Sequence, residues 1–365
     1  MSERLERLSA QLGEREIDAL LVSGLMNVCY LTGFTGSNGM LLVADEGRGE
    51  DRFFTDFRYE TQSAQQLPAG LAREIVAGEL LDGIAKRLRG EAGEDGRLGF
   101  DDASMTVAQH RRLRELLGEG WELVPCAGAV ERLRMVKDAE EIARIAAASE
   151  LADEALRRVL EQGLVGRSER EVALELELAM RRLGAQGPSF PSIVAAGAHG
   201  ALPHAEPRDQ AIPRDVLVTI DWGALHEGYC SDCTRTYATG ESVSAQAREI
   251  YELVLEAQEA ALSAIQAGPN GKELDAVARD IIGAAGQGEH FGHGLGHGVG
   301  LEIHEGPRLS RTAGEEPLQS GNVVTVEPGV YLPGECGVRI EDLVVVTEQG
   351  HDVLTGLPKE LTVVS

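Results

Sequence analysis

Residues 291–305 read FGHGLGHGVGLEIHE. Three of the chain's nine histidines, His293, His297 and His304, fall within twelve positions, interleaved with glycine. Such glycine density suits neither a core helix nor a regular strand. It predicts a segment whose backbone can present side chains inward and let a ligand come close. What those imidazoles face depends on acids elsewhere in the chain.

Four acids stand out because apolar strands normally exclude them. Asp221 ends the run VLVTID, and Asp232 is expected in the next strand, eleven positions on. Glu327 interrupts VVTVEPGVY, and Glu341 interrupts VRIEDLVVV. A carboxylate at a core-facing position is costly unless it is paired or coordinated. One such acid is ordinarily satisfied by an arginine or a backbone amide. Four in neighbouring strands would repel one another and raise their own pKa values, unless a cation sits among them. Carboxylate and imidazole donors together suit manganese, cobalt, zinc or iron(II). Four acids and one histidine exceed the needs of one ion, so the expectation is two divalent ions bridged by carboxylates.

The bulk numbers set the class. At 365 residues two domains are expected. Hydrophobic residues make up 43% and charged residues 26%, as in ordinary globular proteins. The net charge of −26 argues against nucleic acid or an anionic membrane as partner, because both would repel the chain. The start, MSERLERLSAQLGEREIDALLV, is charged and amphipathic, unlike a secretory leader, and no eighteen-residue apolar run occurs. Five scattered cysteines, Cys29, Cys126, Cys230, Cys233 and Cys336, suggest free thiols and a cytoplasmic setting.

Residues 1–127 read as an α/β domain. A helix is expected over 3–13, then a strand in DALLVSG, then apolar runs separated by turn residues in NVCYLTGFTGSNGMLLVAD. Further strands are expected at 52–55 and 98–100, with helices at 59–66, 79–88 and 107–117, in a mixed or parallel sheet. The punctuation Pro125–Gly128 closes this unit. Residues 128–365 then start with Asp138 and Glu141 as a capping box for a helix running to about Glu161. Helices near 169–184, 244–266 and 271–285 alternate with the strands PSIVAAG, VLVTIDWGA, NVVTVEPGVYL and CGVRIEDLVVVTE and an arm GYCSDCTRTYATG. Each half offers helices followed by paired strands, so the expectation is a duplicated α+β unit with an antiparallel sheet.

With these residues in view the chain resembles the metal-dependent Xaa-Pro peptidases of the pita-bread fold, prolidase and aminopeptidase P. The resemblance runs over nearly the whole chain and is strongest in 200–345. It implies that Asp221 chelates one ion, that Asp232 and Glu341 bridge both, and that His297 and Glu327 hold the second. It implies Glu327 as general base and acid. By the same resemblance His304 in LEIHEGP contacts the scissile carbonyl, His204 in GALPHAEP lines the proline pocket, His293 contacts substrate, and Arg339 orients the acids. NVCYLTGFTGSNG and FTDFRYETQ resemble the creatinase-like first domain, which in the family overhangs the site, often the partner's in a homodimer, and limits substrate length.

The implied activity is cleavage of the Xaa-Pro bond at a peptide's N-terminus, with two metal ions, manganese first and cobalt or zinc as alternatives. Dipeptide substrates are favoured over the longer ones of aminopeptidase P, because the loop around Phe34–Gly39 could close the far side of the cleft. A metal-free binding module and metal-free creatinase-type hydrolysis are rival readings; the intact ligand set argues against both.

Other signals carry less. Cys230-x-x-Cys233 brackets Asp232 and reads as structural. GHGLGHGVG lacks the Lys-Ser/Thr ending of a phosphate loop. EGRGED at 46–51 and EAGEDG at 91–96 read as solvated loops. His110, His199, His226, His290 and His351 have no partner that the sequence names.

Overall fold

A computed structural model describes residues 3–45, 49–91, 93 and 95–365. The two charged loops around 46–51 and 91–96 fall partly outside the described residues. The chain divides into two compact units, Met1–Arg134 and Met135–Ser365. The division falls within the short helix Glu131–Met135, beyond the Pro125–Gly128 punctuation.

The first unit is built on a six-stranded mixed sheet. In spatial order its strands are Ala72–Ile75, Arg52–Thr55, Gly39–Ala44, Ala19–Val22, Gly96–Phe100 and Trp121–Pro125. Ala19–Val22 pairs antiparallel with Gly39–Ala44 and parallel with Gly96–Phe100. On one face Leu21, Leu42, Phe54 and Leu98 pack against Ile84 and Leu88 of the helix Leu80–Glu91 and Leu113 and Leu117 of Val107–Leu117. The alternating side chains Leu20, Leu41, Val43 and Phe53 are equally buried, as a sheet covered on both faces requires. The run NVCYL, unassigned by sequence alone, lies in the helix Leu25–Thr32, which Gly33 closes in a left-handed conformation at φ 75°.

The second unit repeats one plan. The helix Ala139–Leu160 starts at the Asp138 cap, whose side chain accepts from the backbone of Glu140 and Glu141 while the Glu141 carboxylate accepts in return. Its apolar positions Ile145, Ala148, Ala152, Ala155 and Val159 recur every three or four residues and are buried, as is Leu156 beside them. With the helix Glu169–Leu183 they cover the antiparallel sheet of Ile193–Ala196, Leu217–Trp222 and Cys233–Ala238. Burying each such leucine or valine is worth roughly 1.5–3 kcal/mol. In the other half the helices Ala245–Ala264 and Gly271–Ala284 cover strands that include Val323–Val326 and Asp342–Thr347.

The antiparallel sheet expected here is in fact divided into four among the described residues, and the breaks matter. After Val323–Val326 the chain leaves the five-stranded sheet at Glu327 and pairs as Gly329–Leu332 with Cys336–Arg339; it rejoins at Asp342, just after Glu341. Likewise Ser231 and Asp232 separate Tyr229–Cys230 from Cys233–Ala238, which belong to different sheets. Asp232 is therefore not in a strand, contrary to expectation. Among the described residues, no helix is long and apolar enough to cross a membrane.

Candidate active site

The sheet breaks are where the acids meet. Asp221 faces the start of the strand Cys233–Ala238, in register with Thr234. Gly223 then turns so close to Ser231 that an added Cβ would lie 1.9 Å from its carbonyl oxygen, so only glycine brings Asp232 alongside Asp221. Carboxylate oxygens of Asp221, Asp232 and Glu341 lie within 4.8 Å of one another.

His297 stands in the short strand Gly296–Gly298. A Cβ on Gly296 would meet the Thr325 carbonyl at 2.0 Å, and one on Gly298 the Gly306 carbonyl at 2.1 Å. Neither has a positive φ, so these glycines serve close approach of neighbouring backbone and not unusual torsion. The His297 Nδ1 donates to the Gly298 carbonyl at 3.1 Å, which points Nε2 at the acids. That nitrogen lies 3.3 Å from Glu327 and 3.6 Å from Asp232. The Thr325 hydroxyl donates to Glu327 Oε1 at 3.0 Å.

Arg339 braces the acids: its Nη2 donates to Asp221 at 2.6 Å and its Nε to the Thr234 hydroxyl at 3.0 Å, which in turn donates to Glu341 at 2.7 Å. Arg339 Nη1 also donates to the hydroxyl of Tyr331 at 2.7 Å, and that hydroxyl lies 2.9 Å from His293 Nε2. Since His293 Nδ1 must donate to the Gly294 carbonyl, Nε2 accepts from Tyr331. Both nitrogens of His293 are thus engaged within the protein. Sequence reasoning missed Tyr331, because a tyrosine in the apolar run GVYL reads as core.

Burial first, and then mutual repulsion, pushes the Asp232 and Glu341 carboxyls well above their ordinary range, and burial also raises Asp221 against the pull of Arg339. Burial pushes Glu327 up too, but the hydrogen bond and charge of His297 outweigh it and bring it down to about 2. One arginine does not neutralise this many acids. Asp221 Oδ1 and Glu341 Oε1 are buried with no hydrogen-bond partner. Orphaned carboxylate oxygens in a close cluster of acids, beside an imidazole nitrogen, fit divalent cations.

The cluster forms the floor of a cavity of about 500 Å³, which Asp221, Asp232, His297, Glu327 and Glu341 all line. His204, His293, His304 and Arg339 line the same cavity, so every side chain singled out in the sequence converges there. The rings of His297 and His304 lie 4.3 Å apart. The Cys230 and Cys233 thiols are buried and reduced, and burial pushes Cys230 up to about 12, which makes it a poor nucleophile.

Known proteins share this architecture. Residues 143–348 match metallopeptidase family M24, and residues 4–136 match the creatinase/prolidase N-terminal domain. An Xaa-Pro dipeptidase from Pyrococcus furiosus is 38% identical over 369 residues, covering 99% of this chain and 100% of its own. The structure of an Xaa-Pro dipeptidase from Bacillus anthracis superposes with a TM-score of 0.93 at 41% identity, over 99% of both chains. That of an X-Pro aminopeptidase from Thermotoga maritima does so with 0.88 at 38%, over 99% of this chain and 100% of the other. The chain therefore belongs to metallopeptidase family M24, with a creatinase/prolidase N-terminal domain followed in sequence by the pita-bread catalytic fold.

Proposed function

We propose that the chain is a proline-specific metalloexopeptidase that splits Xaa-Pro dipeptides. The observation that carries this reading is the triad of half-buried Asp221 and buried Asp232 and Glu341, two of the three with orphaned oxygens, beside His297 and Glu327 in one cavity. The dipeptidase relatives favour the short substrate; the Thermotoga neighbour keeps cleavage of longer peptides as the second reading.

The five side chains would hold two divalent ions, manganese in first place. Such a pair supplies Lewis acidity to the scissile carbonyl and a nucleophile near neutral pH. The rest is the work of this chain's own residues. Glu327 takes the proton of the attacking water and delivers it to the imide nitrogen of the leaving proline, which carries no hydrogen of its own. His304 donates to the oxygen on which charge develops. His204 forms the proline side of the cavity. Arg339 fixes Asp221, and Tyr331 fixes Arg339 and His293. We place the enzyme in the cytoplasm, as a homodimer, with the functional boundary between its domains near 127/128.

The test is a panel of Xaa-Pro and Xaa-Pro-Yaa peptides with manganese, cobalt or zinc added back to chelated protein. Cleavage confined to dipeptides is expected. Cleavage of tripeptides alone would favour the aminopeptidase, and full turnover in verified metal-free protein would overturn the mechanism.

A further inference from the structure

Glu169 is the first residue of the helix Glu169–Leu183, behind its cap Ser168. An acid in a first turn is ordinarily a solvated residue that the helix dipole favours. This one is 1% exposed. Its Oε1 accepts from the Ala196 backbone at 2.9 Å and from Arg208 Nη2 at 3.1 Å. Its Oε2 accepts from the Arg208 backbone at 3.0 Å and from Arg208 Nε at 3.1 Å. His199 Nδ1 donates between them, 2.9 Å from Oε2. Burial pushes the carboxyl up, but the bonds from Arg208 and Ala196 outweigh it, and the net shift is down.

These donors are the two feet of one strap. Ala196 ends the strand Ile193–Ala196, and Arg208 lies beyond the turn Gly197–Ala201 and the run Leu202–Pro207. Pro203, His204, Ala205, Glu206 and Pro207 all line the cavity. The middle of the strap is fastened separately: Arg339 Nη1 donates to the Pro203 carbonyl at 3.2 Å, and Gly200 passes so close to Gly337 that a Cβ on Gly337 would lie 1.8 Å from the Gly200 carbonyl oxygen. Among the described residues Glu169 is the side chain that bonds both feet.

We propose that Glu169 is a positioning residue: by clamping both feet of the 197–207 strap it sets where His204 and the proline-side wall stand in the cavity. What the strap does for substrate rests on the peptidase reading above; that Glu169 anchors it does not. Exchanging one carboxylate oxygen for an amide, as in Glu169→Gln, puts a donor where Arg208 and Ala196 already donate, so at least one foot must let go.

The test pairs amide hydrogen exchange on the full chain with kinetics of the metal-loaded enzyme, for wild type, Glu169→Gln and Arg208→Met. Arg208→Met is the gentler variant, because the Arg208 side chain is 45% exposed, and it carries the test if Glu169→Gln does not fold. Exchange across 197–207 is expected to rise roughly tenfold, with 217–222 and 323–326 unchanged. KM for an Xaa-Pro dipeptide is expected to rise roughly tenfold while kcat stays within about threefold. Unchanged strap exchange in a folded variant overturns the proposal. So does faster exchange with KM intact and only the active fraction reduced. Failure of the peptidase reading looks different: wild type itself would not cleave Xaa-Pro, and the exchange result would still decide the anchoring.

Discussion

Glu341 and Asp342 are neighbours in the chain, each 1% exposed, and their surroundings are opposite. Asp342 faces Arg235 at 2.7 Å, Thr355 at 2.8 Å, and Gln258 and Lys359 at 2.9 Å each. Burial alone would raise it, but Arg235 and Lys359 prevail and hold it down to about 2. Glu341 has Thr234 on one oxygen and nothing on the other, and burial with the charges of Glu327 and Asp221 drives it up. One peptide bond separates an acid that the protein neutralises from its own side chains and an acid that it leaves to be neutralised from outside. That contrast separates a structural carboxylate from a ligand better than burial does.

The hardest blow to the contrast falls on Glu341 itself. Glu341→Gln keeps the shape and removes the charge. Turnover of an Xaa-Pro dipeptide with metal supplied is expected to fall on the order of a thousandfold or more, the scale of other central catalytic groups. The chelated variant should unfold at no lower urea concentration than wild type. A tenth of wild-type activity would end the assignment of Glu341 as a ligand. On the other side of the peptide bond, Arg235→Met leaves Asp342 with Lys359 as its one paired cation and is expected to lower stability by about 3 kcal/mol in equilibrium urea unfolding. A change below about 1 kcal/mol would mean that Lys359 alone suffices.

Metal removal sharpens the same comparison. Wild type saturated at a hundredfold above Kd should gain about 2.7 kcal/mol per ion over chelated protein, read as a rise in Tm, and Glu341→Gln should lose most of that gain. The smallest effect concerns pH. Glu169 resembles Asp342 in that its folded pKa lies below the ordinary 4.5. Its contribution is therefore complete above about pH 4.5 and is lost as pH falls through the folded value. As pH falls from about 4.5, wild type should lose stability faster than Glu169→Gln does, and parallel urea midpoints would contradict this.

Much of this was legible in the residues. The Asp138–Glu141 box announced its helix, because capping is a local interaction with a fixed spacing. The four acids were conspicuous because charge inside an apolar run is expensive. What the sequence hid was non-local. That Asp232, Glu327 and Glu341 sit where the chain passes from one sheet to another depends on pairing between distant strands. Glu169 looked like any acid in a first turn, and His199 looked partnerless, because 30 positions of chain separate the two. Arg235, in the wholly buried strand CTRTYA, did carry a signal: an arginine there demands an acid, and Asp342 supplies it.

The division of the catalytic unit into two halves has a consequence for assembly. Asp221 and Asp232 belong to the half built on the Leu217–Trp222 sheet; His297, Glu327 and Glu341 belong to the other. On the proposed ligand set neither half holds all the donors, so cation affinity would be a property of the joined pair alone. Metal capture would then act as a clasp that rewards only correctly mated halves.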